Sequence, residues 1–257
     1  MEGRIRSRLV GCVLPTACLL LAVVQTADAQ DTGADEPSGH VVSAQVDFFS
    51  RYVWRGLAWS QGPVLQPSVT VARGHFSATA WANFGLDRRD GTSFNEVDLV
   101  LSYEASSGKL GLEGCLQFFA YPNQADSPAT GEAVASLCYP VGSLTAYLSQ
   151  ASDFMHYRGA HYTEAGLRYD CALDTHTSLG LSGGVSAGSR KFNEVYAGVM
   201  KSAWNVASLQ LALERELSPG WDLCASLSLT ELLDSDLRAS GADRRLVVFG
   251  FGMCRTF

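Results

Sequence analysis

From Val41 to Phe257 apolar and polar residues alternate with a period of two, almost without interruption. Val46, Phe48, Tyr52 and Trp54 alternate with Gln45, Asp47, Arg51 and Arg55, and Val97, Leu99, Leu101 and Tyr103 alternate with Glu96, Asp98, Ser102 and Glu104. Towards the end Leu223, Leu227 and Leu229 oppose Asp222, Cys224, Ser226 and Ser228. Such alternation belongs to strands with one apolar face. Twelve strands are expected, at 41–55, 64–73, 75–86, 95–104, 109–121, 131–140, 143–152, 161–172, 176–187, 204–217, 220–230 and 246–257. Most run to about ten residues, the length a tilted strand needs to cross a bilayer.

The connections alternate as well. Short ones ("ARG", "SSG", "PVG", "ALDTH", "SPG") take turns with long polar ones ("GLAWSQGP", "DRRDGTS", "PNQADSPAT", "SDFMHYRG", "DSDLRASGADRR"). Tight turns at one end and long loops at the other are the habit of an outer-membrane barrel. One segment resists the count: "NEVYAGVMK" at 193–201 reads as a further strand, which would leave the terminal strand running the wrong way. Because bacterial barrels take an even strand number, it is assigned to a long external loop with strand-like structure.

The first residues change the picture from fold to address. Arg4, Arg6 and Arg8 precede an apolar run from Leu9 to Val24, and "ADA" at 27–29 offers the small residues of a cleavage site. Residues 1–29 read as a secretory signal peptide, 30–40 as a flexible lead-in, and 41–257 as the barrel. Without residues 1–29 the charge balance is 16 basic to 24 acidic residues, a net −8, which does not invite nucleic acid.

A soluble exported β-sandwich that binds a ligand would alternate too. Against it, the polar parity is rich in Ser, Thr, Gly and Ala rather than in Lys and Glu, and Tyr52, Trp54, Phe118, Tyr139, Tyr169 and Trp221 fall near strand ends on the apolar parity, where aromatic girdles lie. The chain closes on "LVVFGFGMCRTF", whose Phe249, Phe251 and Phe257 resemble the terminal signal read by the barrel-assembly machinery, with Arg255 as its one lapse. The expected fold is therefore an all-β, antiparallel, up-and-down transmembrane barrel in contact with outer-membrane lipid.

"FFSRYVWRGLAWSQGPVLQPSVTV", residues 48–71, resembles the opening of a proteobacterial outer-membrane family of unknown function, Gcw_chp, in a Ser-x-Tyr-x-x-Arg-Gly pattern formed by Ser50, Tyr52, Arg55 and Gly56, followed by Ser60 and Gln61. The resemblance continues through "ATAWAN" and through Glu96 and Asp98. It implies a fold and a location without an activity.

Candidate chemistry lies on the inward parity. Asp47, Arg51, Arg55, Glu96, Asp98, Glu132, Glu164 and Arg168 are candidate lumen charges, with Asp47 facing Arg51 and Glu164 facing Arg168 as expected pairs. Glu96, Glu132 and Glu164 each follow a long loop, and a ring of them at the outer mouth would favour cations. Three solvated carboxylates at strand ends are the competing reading of that ring, and structural filling of the lumen is that of the inward charges as a whole. His156 and His161 share a loop without cysteines nearby, so no metal is expected, and no cofactor. No Ser/His or paired-carboxylate site can be assembled, so no enzyme is expected. Cys115 with Cys138, and Cys224 with Cys254, fall inward on neighbouring strands as disulfide candidates, leaving Cys171 facing the membrane. A small-solute pore or channel is the leading functional expectation, with a plugged structural or surface-interaction barrel as the alternative.

Overall fold

The computed structural model describes residues 39–90 and 93–257, so the expected signal peptide and nearly all of the lead-in lie outside the described residues. The strands are β1 (Val41–Phe49), β2 (Val53–Trp54), β3 (Leu57–Ala58), β4 (Val64–Arg73), β5 (Phe76–Gly85), β6 (Phe94–Ser107), β7 (Leu110–Ala120), β8 (Thr130–Val141), β9 (Leu144–Asp153), β10 (His161–Ala172), β11 (Thr177–Gly188), β12 (Ala203–Ser218), β13 (Trp221–Leu232) and β14 (Arg245–Thr256). Twelve of them close into an antiparallel barrel in which each strand pairs with its sequence neighbour and β1 bonds both β4 and β14; β2 and β3 form a separate ribbon. A closed barrel with an apolar exterior replaces the sandwich alternative.

The alternation explains the closure. In β14, Val247, Phe249, Phe251 and Met253 are exposed while Leu246, Val248, Gly252 and Cys254 are buried, so one parity covers the outside and the other lines the inside. Closing the seam needs room on that inner face. A Cβ on Gly250 would meet Phe49 and Ser226, and one on Gly252 would meet Asp47, so both glycines of the terminal stretch are seats for β1 side chains.

Long loops gather at one end: L1 (50–63), L2 (described at 86–90 and 93), L3 (121–129), L4 (154–160), L5 (189–202) and L6 (233–244). Tight turns occupy the other, and there Phe76, Tyr103, Tyr139, Tyr169 and Trp221 form an outward girdle. Arg255 belongs to it. Its guanidinium lies 5.0 Å from the Trp221 ring and 5.6 Å from Phe257, and it donates to the Pro219 carbonyl at 3.2 Å, as a snorkelling arginine does.

Two expectations are corrected. The first strand ends at Phe49 rather than at 55, because L1 leaves the wall and turns inward, which removes Tyr52 and Trp54 from the girdle. The 193–201 segment is indeed loop, but its ordered part is a helix, α1 (Arg190–Ala197), not strand-like. Ser189 caps its N-terminus by accepting from the Phe192 amide, and Gly198 ends it at a φ of 70°.

Candidate functional site

L1 builds a plug in the loop-side mouth. The Ser60 hydroxyl accepts from the Tyr52 amide at 2.8 Å and donates to the Gly62 carbonyl at 2.7 Å, while the Trp59 amide donates to the Tyr52 carbonyl at 2.8 Å. These bonds fold the loop into the β2–β3 ribbon, whose two-residue tip is Arg55 and Gly56, both at positive φ (49° and 82°). Two left-handed residues in succession make the tight hairpin turn whose twist suits the ribbon. Arg55, a non-glycine in that region, is held there at a cost, so its surroundings must compensate.

They do so across the lumen. Arg55 donates to both carboxylate oxygens of Glu132 on β8, at 2.8 and 2.6 Å, and the two side chains are only 4% and 1% exposed. From β1, where L1 departs, β8 lies five strands round the barrel one way and seven the other. Gly56 presses against Val206, Thr230 and Leu232 of β12 and β13, another part of the wall. The guanidinium also lies over Trp54, Tyr162 and Phe192, at 4.3, 4.6 and 5.4 Å. Burial acts to lower its pKa, but the Glu132 charge and hydrogen bonds, with lesser help from Tyr162 and Tyr196, outweigh this and raise it above the ordinary arginine value.

L5 supplies the other half of the plug. Phe192 and Tyr196 of α1 pack on each other at 4.8 Å, and Tyr196 meets Trp54 edge-on at 5.0 Å. Gly188 makes the helix's seat, since a Cβ there would meet Asn193, Asn205 and Phe192. Tyr52 reaches Glu96 and Asp98 on the β6 wall; burial first, and then those carboxylates, push its hydroxyl pKa well above the ordinary tyrosine value.

The other expected charges fall as follows. Asp47 faces inward and accepts from Gln45 at 3.0 and 2.8 Å rather than from Arg51. Arg51 is not a lumen residue: it pairs with Asp243 of L6 at 2.7 Å. Arg168 pairs with Asp170 at 2.8 Å, and Glu164 instead accepts from the Tyr147 hydroxyl at 2.9 Å. Glu96, Glu132 and Glu164 do line β6, β8 and β10 towards the mouth, but Tyr52, Arg55 and Tyr147 engage them in turn.

Register separates the first cysteine pair. Cys115 stands opposite Val134 and Cys138 opposite Gly111, four residues or about 14 Å along the strands. Cys224 stands opposite Gly252, one inward step from Cys254, so these two are diagonal neighbours. No disulfide joins cysteines among the described residues.

Several residues of the inner wall were not among the expected site residues. Asp153 takes the Thr130 hydroxyl and the amides of Met155 and Tyr157, fixing L4. Tyr147 lies across Gly166 and Gly184, where a Cβ would collide with its ring or hydroxyl. Glu104 and Glu113 face each other directly across β6 and β7, and both Glu113 oxygens lack a hydrogen-bond partner among the described residues.

The profile of a family described as bacterial protein of unknown function (Gcw_chp) matches residues 33–213. The chain belongs to the Gcw_chp family. None of the curated proteins matches it in sequence. Among solved structures this Gcw_chp barrel is similar to the KdgM porin (9% identity, 84% of this chain and 99% of that one, TM-score 0.53), which has also been solved in complex with disordered oligogalacturonate. It is similar too to the NanC porin (10% identity, 83% and 98%, TM-score 0.53) and to the COG4313 outer membrane channel from Pseudomonas putida F1 (12% identity, 88% and 99%, TM-score 0.50). At these identities the likeness is one of fold, that of a twelve-stranded outer-membrane barrel. In outer-membrane barrels of this kind the tight-turn end faces the periplasm and the outward apolar parity faces lipid.

Proposed function

We propose that this barrel is a small-solute channel with a preference for cations, its outer mouth held narrow by L1. The observation that carries the reading is the sign of the inner wall. Inward positions hold Asp47, Glu96, Asp98, Glu104, Glu113 and Glu164 among other carboxylates, whereas Arg168 is the basic residue of the inner wall in the described strands. Arg55 enters only as the loop's anchor. Two carboxylates facing each other, as Glu104 and Glu113 do, repel when both are ionised, and a cation between or beside them relieves that repulsion as a shared proton would. A wall of that sign admits cations and neutral solutes and repels a polyanion such as the oligogalacturonate of the KdgM complex.

The reading includes export by residues 1–29 and delivery to the assembly machinery through Phe257. Purified protein in a planar bilayer under a KCl gradient should give discrete conductance steps and a reversal potential of cationic sign. Anion preference would sink the charge argument. The insertion of L1 and α1 supports one competing reading, a closed structural barrel, and that reading predicts silence both in the native protein and after the L1 anchor is cut.

A further inference from the structure

On the outside of the barrel, β4 to β8 carry a groove that a pore does not use. Two outward rows bound it. Val71, Ala78, Leu101, Leu116 and Ala133 lie in register across the five strands, and Arg73, Phe76, Tyr103 and Gly114 form the next row towards the tight turns. Ala78, Gly114 and Ala133 are too short to fill the space between their larger neighbours, and the surface sinks into a groove of about 710 Å³. A Cβ added at Gly114 meets nothing within 4 Å. Five strands at the usual spacing make the groove about 19 Å long.

One end of this apolar trough is charged. Arg73 is exposed, closes β4 at the tight-turn end, and makes no ion pair or side-chain hydrogen bond among the described residues. Phe76 and Tyr103 stand beside it with ring centres 4.8 Å apart, at the level where a membrane's headgroups meet its hydrocarbon.

We propose that this groove binds one phospholipid of the periplasmic leaflet, an acyl chain lying along the strands' small residues and the phosphate on Arg73. Hydrocarbon fills the trough, and an anion at its rim matches a cation the protein leaves unpaired. A second copy of the chain fits less well. Its lipid face would bring apolar side chains against Arg73, because Glu104 and Glu113 of the same strands point inward.

Native mass spectrometry of the detergent-purified barrel incubated with phosphatidylglycerol tests this. One lipid should be retained per barrel. Gly114→Leu, whose Cβ has open space and whose remaining atoms extend into the groove, should cut the retained fraction at least fivefold. Arg73→Gln should remove the preference for phosphatidylglycerol over uncharged diacylglycerol. Ala207→Leu, on the lipid face of β12, should retain lipid as the native protein does, and heat-modifiable gel mobility should show every variant folded. Equal retention by native protein and Gly114→Leu, loss in Ala207→Leu as well, or a barrel dimer dispersed by Gly114→Leu would each overturn the proposal.

Discussion

Replacing Arg55 by Gln should release L1 from the lumen. The substitution leaves Glu132, 1% exposed, as a buried carboxylate without its bidentate partner at 2.8 and 2.6 Å. Breaking a buried pair from one side costs about 3–5 kcal/mol. Loss of the contacts over Trp54 and Tyr162 adds about 0.5–2 kcal/mol. Even the pair alone shifts the balance between lodged and released loop by about a hundredfold to several thousandfold, since each 1.4 kcal/mol is a factor of about ten. The Arg55→Leu/Glu132→Leu double variant removes both charges together and should lose much less, because an apolar pair of similar volume often matches a buried ion pair. Single-channel recording in planar bilayers reads the difference. Arg55→Gln should add a larger, long-lived conductance level, and the double variant should behave much like the native protein. If Arg55→Gln keeps both folded gel mobility and the native conductance and dwell times, the buried pair does not hold the loop.

Glu104→Gln with Glu113→Gln should bring the reversal potential closer to zero without changing heat-modifiable mobility, and an unchanged potential would remove this wall from the selectivity argument. Gly250→Val meets Phe49 and Ser226 at the seam and should cost about 1–3 kcal/mol, read as a lower unfolding temperature on gels, with Phe49→Ala restoring part of it. Lys201 links L5 to L6 by donating to Asp236 at 2.6 Å and lying 2.9 Å from Asp234, and its hydrogen bond holds the Asp234 pKa below the ordinary 3.8. The sign follows: a depressed carboxylate stabilises above the unfolded value and loses that contribution as pH falls through its lower folded one. Pepsin cleavage at Leu237 of α2 (Ser235–Ala239) should therefore begin at a lower pH in the native protein than in Lys201→Ala; a shared onset would refute the link.

The strands were legible because lipid and lumen impose opposite demands on successive residues, so the period of two survives nearly to each boundary. The same regularity concealed the plug. Tyr52 and Trp54 continue the apolar parity of Val46 and Phe48 past the end of β1, and nothing in the period separates a wall aromatic from one folded inward. A local signal was present in Arg55-Gly56, a charged residue and a glycine at a two-residue hairpin tip, inside what read as a continuous strand. The α1 helix had its signal too: Ser189 and Gly198 bracket "RKFNEVYA" as cap and terminator, a spacing that outweighs the alternation of "NEVY". Pairing was the least legible layer. Arg55 meets Glu132 from 77 positions away, and only closure of the barrel brings L1 over β8. A two-residue shift of strand register keeps every side chain on its face while changing its partners, so the inward parity of Cys115 and Cys138 was readable and their separation was not. The charges that stayed on the wall, Asp47, Glu96, Asp98, Glu132, Glu164 and Arg168, were found by parity; the one that acts at a distance, Arg55, belongs to the segment where parity stops describing a wall.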